Sequence, residues 1–369
     1  MSILVLNVGS SSVKFAIFAR RGEDLAEIAR VQRARAAGLA QGEAIGEADL
    51  ALVSETLETA ERENGALGAV GHRIVHGGRA FFAPVAIDAN NLATIEALAP
   101  LAPLHQPHNL MGVRAVARLR PGLRQVACFD TAFHRTQPEL HRRLPLPEDY
   151  FEVGVERYGF HGLSYAWLTQ QIARLRGATP RRMLAFHLGA GSSACAILDG
   201  RSHDTSMGFS TVDGLMMATR PGALDPGVIL HLLRQGMAEK ELTELLYTRS
   251  GLRGVSGLTA DMKTLLASDE PAAARAIDMF CRRAAVVGAG LAVALGGLDA
   301  IVFTGGIGEH APAIREKIVA QLALLGARID APRNARNEAR ISPDGANVEC
   351  WIVNADEERV IAEATAALV

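Results

Sequence analysis

Cysteine is scarce in this sequence, and the four that occur stand far apart: Cys128, Cys195, Cys281 and Cys350, with no CxxC and no metal-finger spacing among them. That pattern argues against a zinc finger and predicts reduced, mostly buried thiols in a cytoplasmic protein. Charge of one sign is also missing. The formal net charge is −2, so neither nucleic acid nor a membrane surface is expected as a partner. Long apolar runs are absent too. The longest uncharged one, "AAVVGAGLAVALGGL" at residues 284–298, is shorter than the roughly 20 residues of a membrane span and reads as a buried helix. The opening "MSILVLNVGS" shows neither a basic leader nor a small-residue cleavage site, so a secretory signal is not expected.

What the chain does have is glycine and small polar residues at the ends of apolar runs. Its 369 residues allow two domains of ordinary size. "SILVLNV" and "VKFAIFA" read as short strands around a Gly-Ser turn, a hairpin. A helix is expected from about Ala48 to Glu63, a strand over "LGAVGHRIVHGG", a helix with Pro107 at its start and Pro121 after its end, and a buried strand "QVACFDTAFH" ending at Asp130. Pro138, Pro145 and Pro147 mark a connector, which places a lobe boundary near residue 150. Beyond it the pattern restarts. "FHLGAGSSACAIL" repeats the opening device, a long helix covers about 271–295, and "DAIVFTGGIGEH" runs from a strand into a third glycine turn. Setting Asn7 against His187 matches Gly9 with Gly189, Ser12 with Ser192, Ala16 with Ala196 and Ile17 with Ile197. Two similar hairpins half a chain apart point to a duplicated lobe with a cleft between the copies.

Gly-Ser turns let backbone N–H groups approach an anion with no Cβ in the way, and the hydroxyls add donors. Lys14 can supply a point charge to a phosphate, and Asn7 can orient a metal-bound water. Each turn alone reads equally well as a tight turn, and none has the GxxxxGK[ST] spacing. Three of them, each fed by a buried strand, point to a nucleotide. Arg73 in "GHRIVHGG" and Arg220 in "TRPGALDPG" are candidates for forks that bind carboxylate or phosphoryl oxygens. His72 and His76 have the spacing of a helical metal pair, but the segment reads as a strand, which argues against zinc. Asp130 follows a buried strand and Glu357 opens the last helix; either carboxylate could hold a hydrated Mg²⁺.

Together, "LNVGSSSVKF", "GHRIVHGG", "LAPLHQPHN", "FDTAFH", "RYGFHGLSY", "HLGAGSS", "TSMGF", "TRPGALDPG", "GVSGLTAD" and "FTGGIGEH" resemble the ordered motifs of the acetate kinase family over essentially the whole chain. The resemblance implies an α/β fold, the duplicated two-lobe ATPase fold of sugar kinases, actin and heat-shock chaperones, with lobes 1–150 (completed by the C-terminal helix 356–369) and 151–355. It implies the reversible reaction ATP + acetate to ADP + acetyl phosphate, Mg²⁺ or Mn²⁺ as cofactor, and a homodimer. Asn7 and Glu357 would serve the metal and Lys14 the nucleotide phosphates. Arg73 would bind the acetate carboxylate, with Val75, Leu104 and Phe160 around its methyl group. Asp130, His161 and Arg220 would be catalytic, and the nucleotide would lie along His187, Leu188, Gly189, Ala190 and Gly191, along Asp261, Met262 and Lys263, and along Gly306, Ile307, Gly308, Glu309 and His310. Acetate is already ionised at neutral pH and needs no general base, so Asp130 is expected to fix Arg73, Arg220 or a metal-bound water instead.

The chain departs from the family pattern at Ala190, where asparagine is usual, and at Thr211, where a proline normally lines the acyl pocket. The first is expected to weaken nucleotide binding and the second to alter acyl-chain preference, within the 1–3 kcal/mol or so that a methylene is worth. Two other readings fit the same motifs: the same chemistry on propionate or butyrate, and a non-catalytic ATP-binding clamp of the same fold.

Overall fold

The computed structural model describes residues 1–9, 12–22, 24–34 and 46–369. The chain divides into two units, Met1–Arg135 with Asp356–Val369, and Thr136–Ala355. The division falls before the proline connector because that connector is bonded into the second unit. Thr136 Oγ1 donates to Ser202 O at 2.8 Å, and Arg142 pairs with the buried Glu156 at 3.0 Å.

In the first unit β1 (Ser2–Val8) and β2 (Ser12–Arg21) form the expected hairpin, and β3 (Asp24–Ala34) extends it antiparallel. Strands β4 (Leu67–Ile74) and β6 (Arg124–Phe129) continue the sheet parallel to β1, with the short β5 (Val85–Ala86) at the edge, in the order β3-β2-β1-β4-β6-β5. The second unit holds β7 (Arg182–Leu188), β8 (Ser192–Leu198), β9 (Arg201–Thr205), β10 (Ala300–Thr304) and β11 (Glu349–Ile352) in the order β11-β10-β7-β8-β9. Strand senses also match: an antiparallel meander of three strands followed by two parallel ones. Apart from β5 the two sheets have one topology, so the duplication extends far beyond the two turns.

The two hairpins are not equivalent residue for residue past the turn, contrary to what the ungapped match expects. Asn7 pairs with Lys14 in the first hairpin, whereas His187 pairs with Ser193 in the second. The second turn is therefore one residue shorter, and Lys14 corresponds to Ser193, not Ala194. An ungapped match past the turn is one residue out, which in a strand moves every side chain to the other face.

Helices cover both faces of each sheet, and small residues decide how closely they sit. Helix Gln106–Leu119, with Pro107 in its first turn, lies on the face of Val8 and His72: a Cβ on Gly112 would stand 2.9 Å from Val8 Cγ2. The closing helix Glu357–Leu368 lies on the opposite face, over Gly71, where a Cβ would stand 2.6 Å from Ile361 Cγ2 and would overlap Thr365 Oγ1. Arg30 of β3 anchors the start of that helix through Asp356 and Glu358, and Arg20 of β2 donates to Ala366 O near its end. In the second unit the long helix Pro271–Ala294 packs through Gly288 on Leu184 and Phe186 of β7. Among the described residues no helix is long and apolar enough to cross a membrane.

The Gly71 contact yields a stability prediction. Gly71→Ala pushes the closing helix off the sheet and lowers unfolding stability by about 1–3 kcal/mol, the usual cost of overpacking a tight site. Urea denaturation measures this, and an unchanged midpoint would mean that the helix is not seated on Gly71.

Candidate active site

The register of the first sheet decides which side chains share a face. Asn7 and Lys14 are directly opposed across the hairpin and so project to one side. Leu6 aligns with His72 and Arg73 with Cys128 in the parallel pairs. By alternation, Arg73 and the Asp130 that follows β6 project to the same side as Asn7, which is the side of Gly71 and the closing helix. The start of that helix brings Glu357 to Arg73. The Arg73 fork donates to Asp130 from Nε at 3.0 and 3.2 Å and from Nη2 at 2.7 Å, and Nη1 lies 3.6 Å from Glu357 Oε2. The Asp130 side chain is 2% exposed and that of Arg73 21%, so the pair is shielded on the carboxylate side and open on the guanidinium side.

Burial raises the Asp130 carboxyl above its ordinary range; Arg73 opposes the rise and Glu357 adds to it. Burial likewise works against the Arg73 charge, but Asp130 and Glu357 outweigh it and hold the guanidinium more firmly protonated than in water. At neutral pH the two form an ion pair, and Asp130 orients Arg73. Glu357 and Asn7 add oxygen donors on the same side. This is the donor chemistry of a hydrated Mg²⁺, which takes one or two carboxylates and keeps waters; those residues fit such an ion. Among the described residues no cluster of three or more His, Cys, Asp or Glu could hold a metal.

Two amides that the sequence reading passed over hold this end of the sheet. Asn109 accepts from Val75 N at 2.9 Å and donates to Val8 O at 2.9 Å. Gln106 accepts from His76 N at 3.1 Å and donates to His76 O at 3.0 Å. Their signal was there in "LAPLHQPHN": amides on the apolar side of a helix need partners. Val75 is buried and Leu104 is 36% exposed. His72 lies in β4 with Nε2 2.7 Å from Gln125 Oε1, and burial lowers its pKa to about 4, which suits a neutral core histidine.

In the second unit a cavity of ≈ 860 Å³ gathers Gly189, Ala190, Asp261, Met262, Lys263, Gly306, Ile307 and His310 from three separate segments. Ala218, Ala260, Leu266 and Ala311 complete its apolar walls; isolated small residues gave no sequence signal. Asp261 lines the cavity while its carboxylate caps the helix Met262–Leu266, accepting from Lys263 N and Thr264 N. Leu188 and Gly308 are packed in the core. Glu309 turns its Oε1 to Gly305 N and Ala355 N, both at 2.9 Å, and so ties the third glycine turn to the chain before the closing helix. Ser10 and Ser11 of the first turn lie outside the described residues.

Beside the second turn, His161 takes a left-handed conformation (φ 60°) at the start of helix Gly162–Arg176. Such a backbone is costly for a non-glycine residue. It is held by side-chain bonds: His161 Nδ1 lies 2.8 Å from Ser193 Oγ, which lies 2.6 Å from the buried Tyr165 hydroxyl. His161 stacks on His187 at 4.2 Å between centroids, and His187 Nδ1 lies 2.8 Å from Ser164 Oγ. With Nδ1 engaged, Nε2 is the nitrogen turned to Gly191. Arg220 converges on the same point: a Cβ on Gly191 would stand 2.8 Å from Arg220 Nη2 and 3.2 Å from His161 Nε2. Arg220 Nη1 donates to Thr211 O at 2.8 Å, a backbone bond that any residue at 211 can accept. Burial lowers the Arg220 pKa, and no carboxylate among the described residues pairs with it. A half-buried cation with no carboxylate partner among the described residues suits an anionic ligand. Phe160, next to His161, is 1% exposed. Gly191→Ala moves the ends of Arg220 and His161 without touching the core, so it is expected to lower turnover about 10²-fold, as ångström-scale misplacement does, with little change in thermal stability. Steady-state kinetics beside a melting curve measures this; wild-type turnover would contradict it.

Comparisons with known proteins agree with this geometry. Residues 2–363 match the Acetokinase family. An acetate kinase of Rhodopseudomonas palustris (strain TIE-1) is 45% identical, with 98% of this chain and 96% of the relative covered. Among solved structures, a propionate kinase from Francisella tularensis superposes with a TM-score of 0.88 at 34% identity, covering all of both chains. The acetate kinase of Porphyromonas gingivalis gives 0.87 at 33% identity, covering 100% of this chain and 99% of that one. The strand orders, the ion pair at Arg73 and the match over nearly the whole sequence lead to one conclusion: the chain belongs to the acetokinase family.

Proposed function

We propose that this protein transfers the γ-phosphoryl group of ATP to acetate, giving acetyl phosphate and ADP, and runs the reaction in reverse. The observation that carries the reading is Arg73, a partly exposed side chain whose guanidinium is held by Asp130. A nucleotide clamp has no use for such a carboxylate receptor. Family membership supports the same chemistry.

Acetate docks on Arg73 as the anion, its methyl group toward Val75, Leu104 and Phe160. An acetate oxygen attacks the γ-phosphorus as the bond to the ADP oxygen breaks, and no proton has to move. The phosphoryl group in flight spreads charge over its equatorial oxygens, so Arg220 and the Nε2–H of His161 stabilise it electrostatically. Lys14 binds the phosphates, and the adenosine portion occupies the cavity lined by Gly189, Ala190, Asp261, Met262, Lys263, Gly306, Ile307 and His310. Asn7 and Glu357 would hold a hydrated Mg²⁺, which neutralises phosphate charge when bound. Four buried cysteines, none of them in a disulfide, support a cytoplasmic setting. The exposed Met279, Val286 and Val293 on helix Pro271–Ala294 support a homodimer.

The test is Mg-ATP with acetate, propionate or butyrate, trapping the acyl phosphate as a hydroxamate. Acetyl hydroxamate is expected, with propionyl hydroxamate within about two orders of magnitude, since one methylene is worth only about 1–3 kcal/mol. ATP hydrolysis with no hydroxamate would favour the clamp. Asp130→Asn is expected to lower kcat by misplacing Arg73, leaving the pH–rate profile with its wild-type shape. A new limb tracking the titration of a lost base would contradict the positioning role.

A further inference from the structure

Among the described residues the largest fully buried side chain is a cation, Arg315, on helix Pro312–Gln321. Nothing in the reaction described above uses it. Its guanidinium has five N–H donors, and all are satisfied by neutral oxygens. Nε donates to Asn334 Oδ1 at 2.8 Å. Nη1 donates to Gly308 O at 2.8 Å and Glu309 O at 2.9 Å. Nη2 donates to Asn334 O at 2.9 Å and Asn337 Oδ1 at 2.6 Å. No carboxylate among the described residues pairs with it.

A buried charge without a counter-ion is expensive, and an apolar residue of similar volume would be the more stable choice. What the guanidinium supplies is position. Gly308 and Glu309 belong to the third glycine turn, whose Gly306, Ile307 and His310 line the ≈ 860 Å³ cavity. Glu309 fastens the front of that turn to Gly305 N, and Arg315 fastens its rear carbonyls. Those carbonyls are the C-terminal acceptors of a one-and-a-half-turn helix, which cannot hold its own shape by internal bonding. Asn334 is held in turn: it donates to Pro312 O at 3.0 Å, and Asn337 has the left-handed φ of 52° that aims its amide inward.

We infer that Arg315 is a positioning residue for the nucleotide: it sets the Gly306–His310 wall of the ATP cavity and supplies an uncompensated positive charge behind it. The inference rests on the proposed ATP site. It separates nucleotide binding from carboxylate binding, because Arg73 and Asp130 belong to the other unit.

The experiment is calorimetric titration of the full-length protein with Mg-ATP, together with KM for ATP and for acetate, on wild type, Arg315→Lys, Arg315→Met and Asn337→Gly. Asn337→Gly removes one acceptor at an exposed position and tolerates the left-handed backbone, so it keeps the fold if Arg315→Met does not. The expected result is a rise in Kd for ATP of about threefold for Asn337→Gly and at least tenfold for Arg315→Met. Arg315→Lys should fall between them, and KM for acetate should stay within twofold throughout. Wild-type ATP affinity in folded Asn337→Gly and Arg315→Lys overturns the inference, as does an equal rise in both KM values, which is what general loosening would give. Wild-type protein that fails to bind ATP overturns the site itself and is thereby told apart.

Discussion

The chemistry rests on one constraint: a guanidinium at the end of a sheet has to be kept charged, oriented and partly open. Asp130 does the orienting through a two-pronged bond, Glu357 adds a second anion, and the Arg73 side chain stays partly exposed. Much of the first unit follows from that need. Gly71 lets the closing helix approach closely enough for Glu357 to reach Arg73. Arg30 and Arg20 hold the helix at its two ends, and Asn109 and Gln106 clamp the loop that carries Val75. Breaking a buried pair by removing one partner costs far more than the pair contributes to stability. The pair is therefore better accounted for by the orientation of Arg73 than by stability.

The two units share a topology and differ in what stands at equivalent turns. Where the first hairpin sets Asn7 opposite Lys14, the second sets His187 opposite Ser193. One copy carries charge and metal-type donors, and the other carries imidazoles hydrogen-bonded to serine hydroxyls. Arg220 and Arg315 are both cations without carboxylate partners among the described residues, one at the front of the second unit's chemistry and one behind its cavity wall. Such uncompensated charge suits a unit whose ligand brings its own negative charges.

The hairpins, the long helices and the strands ending at Ile74 and Phe129 were legible because apolar periodicity and proline or glycine punctuation act locally. The motif residues were legible as chemistry, and the structure gathers many of them into one cavity and one ion pair. The turn lengths were not, since a one-residue difference leaves no mark in an ungapped comparison. Nor were the cap that Asp261 forms and the tie that Glu309 makes, because both partners are backbone N–H groups that leave no mark in the sequence. Asn109, Gln106, Ser193 and Arg315 were missed for a related reason. Their work is done across long sequence separations, where only packing reveals the partner.

The central claim is direct transfer of a phosphoryl group to a carboxylate oxygen positioned by Arg73. Acetate labelled with ¹⁸O on both oxygens tests it most directly, with Mg-ATP and the enzyme, observed by ³¹P NMR. The account predicts an acyl phosphate resonance carrying the isotope shift of one ¹⁸O bonded to phosphorus. Unlabelled phosphate as the sole phosphorus product beside ADP would contradict it.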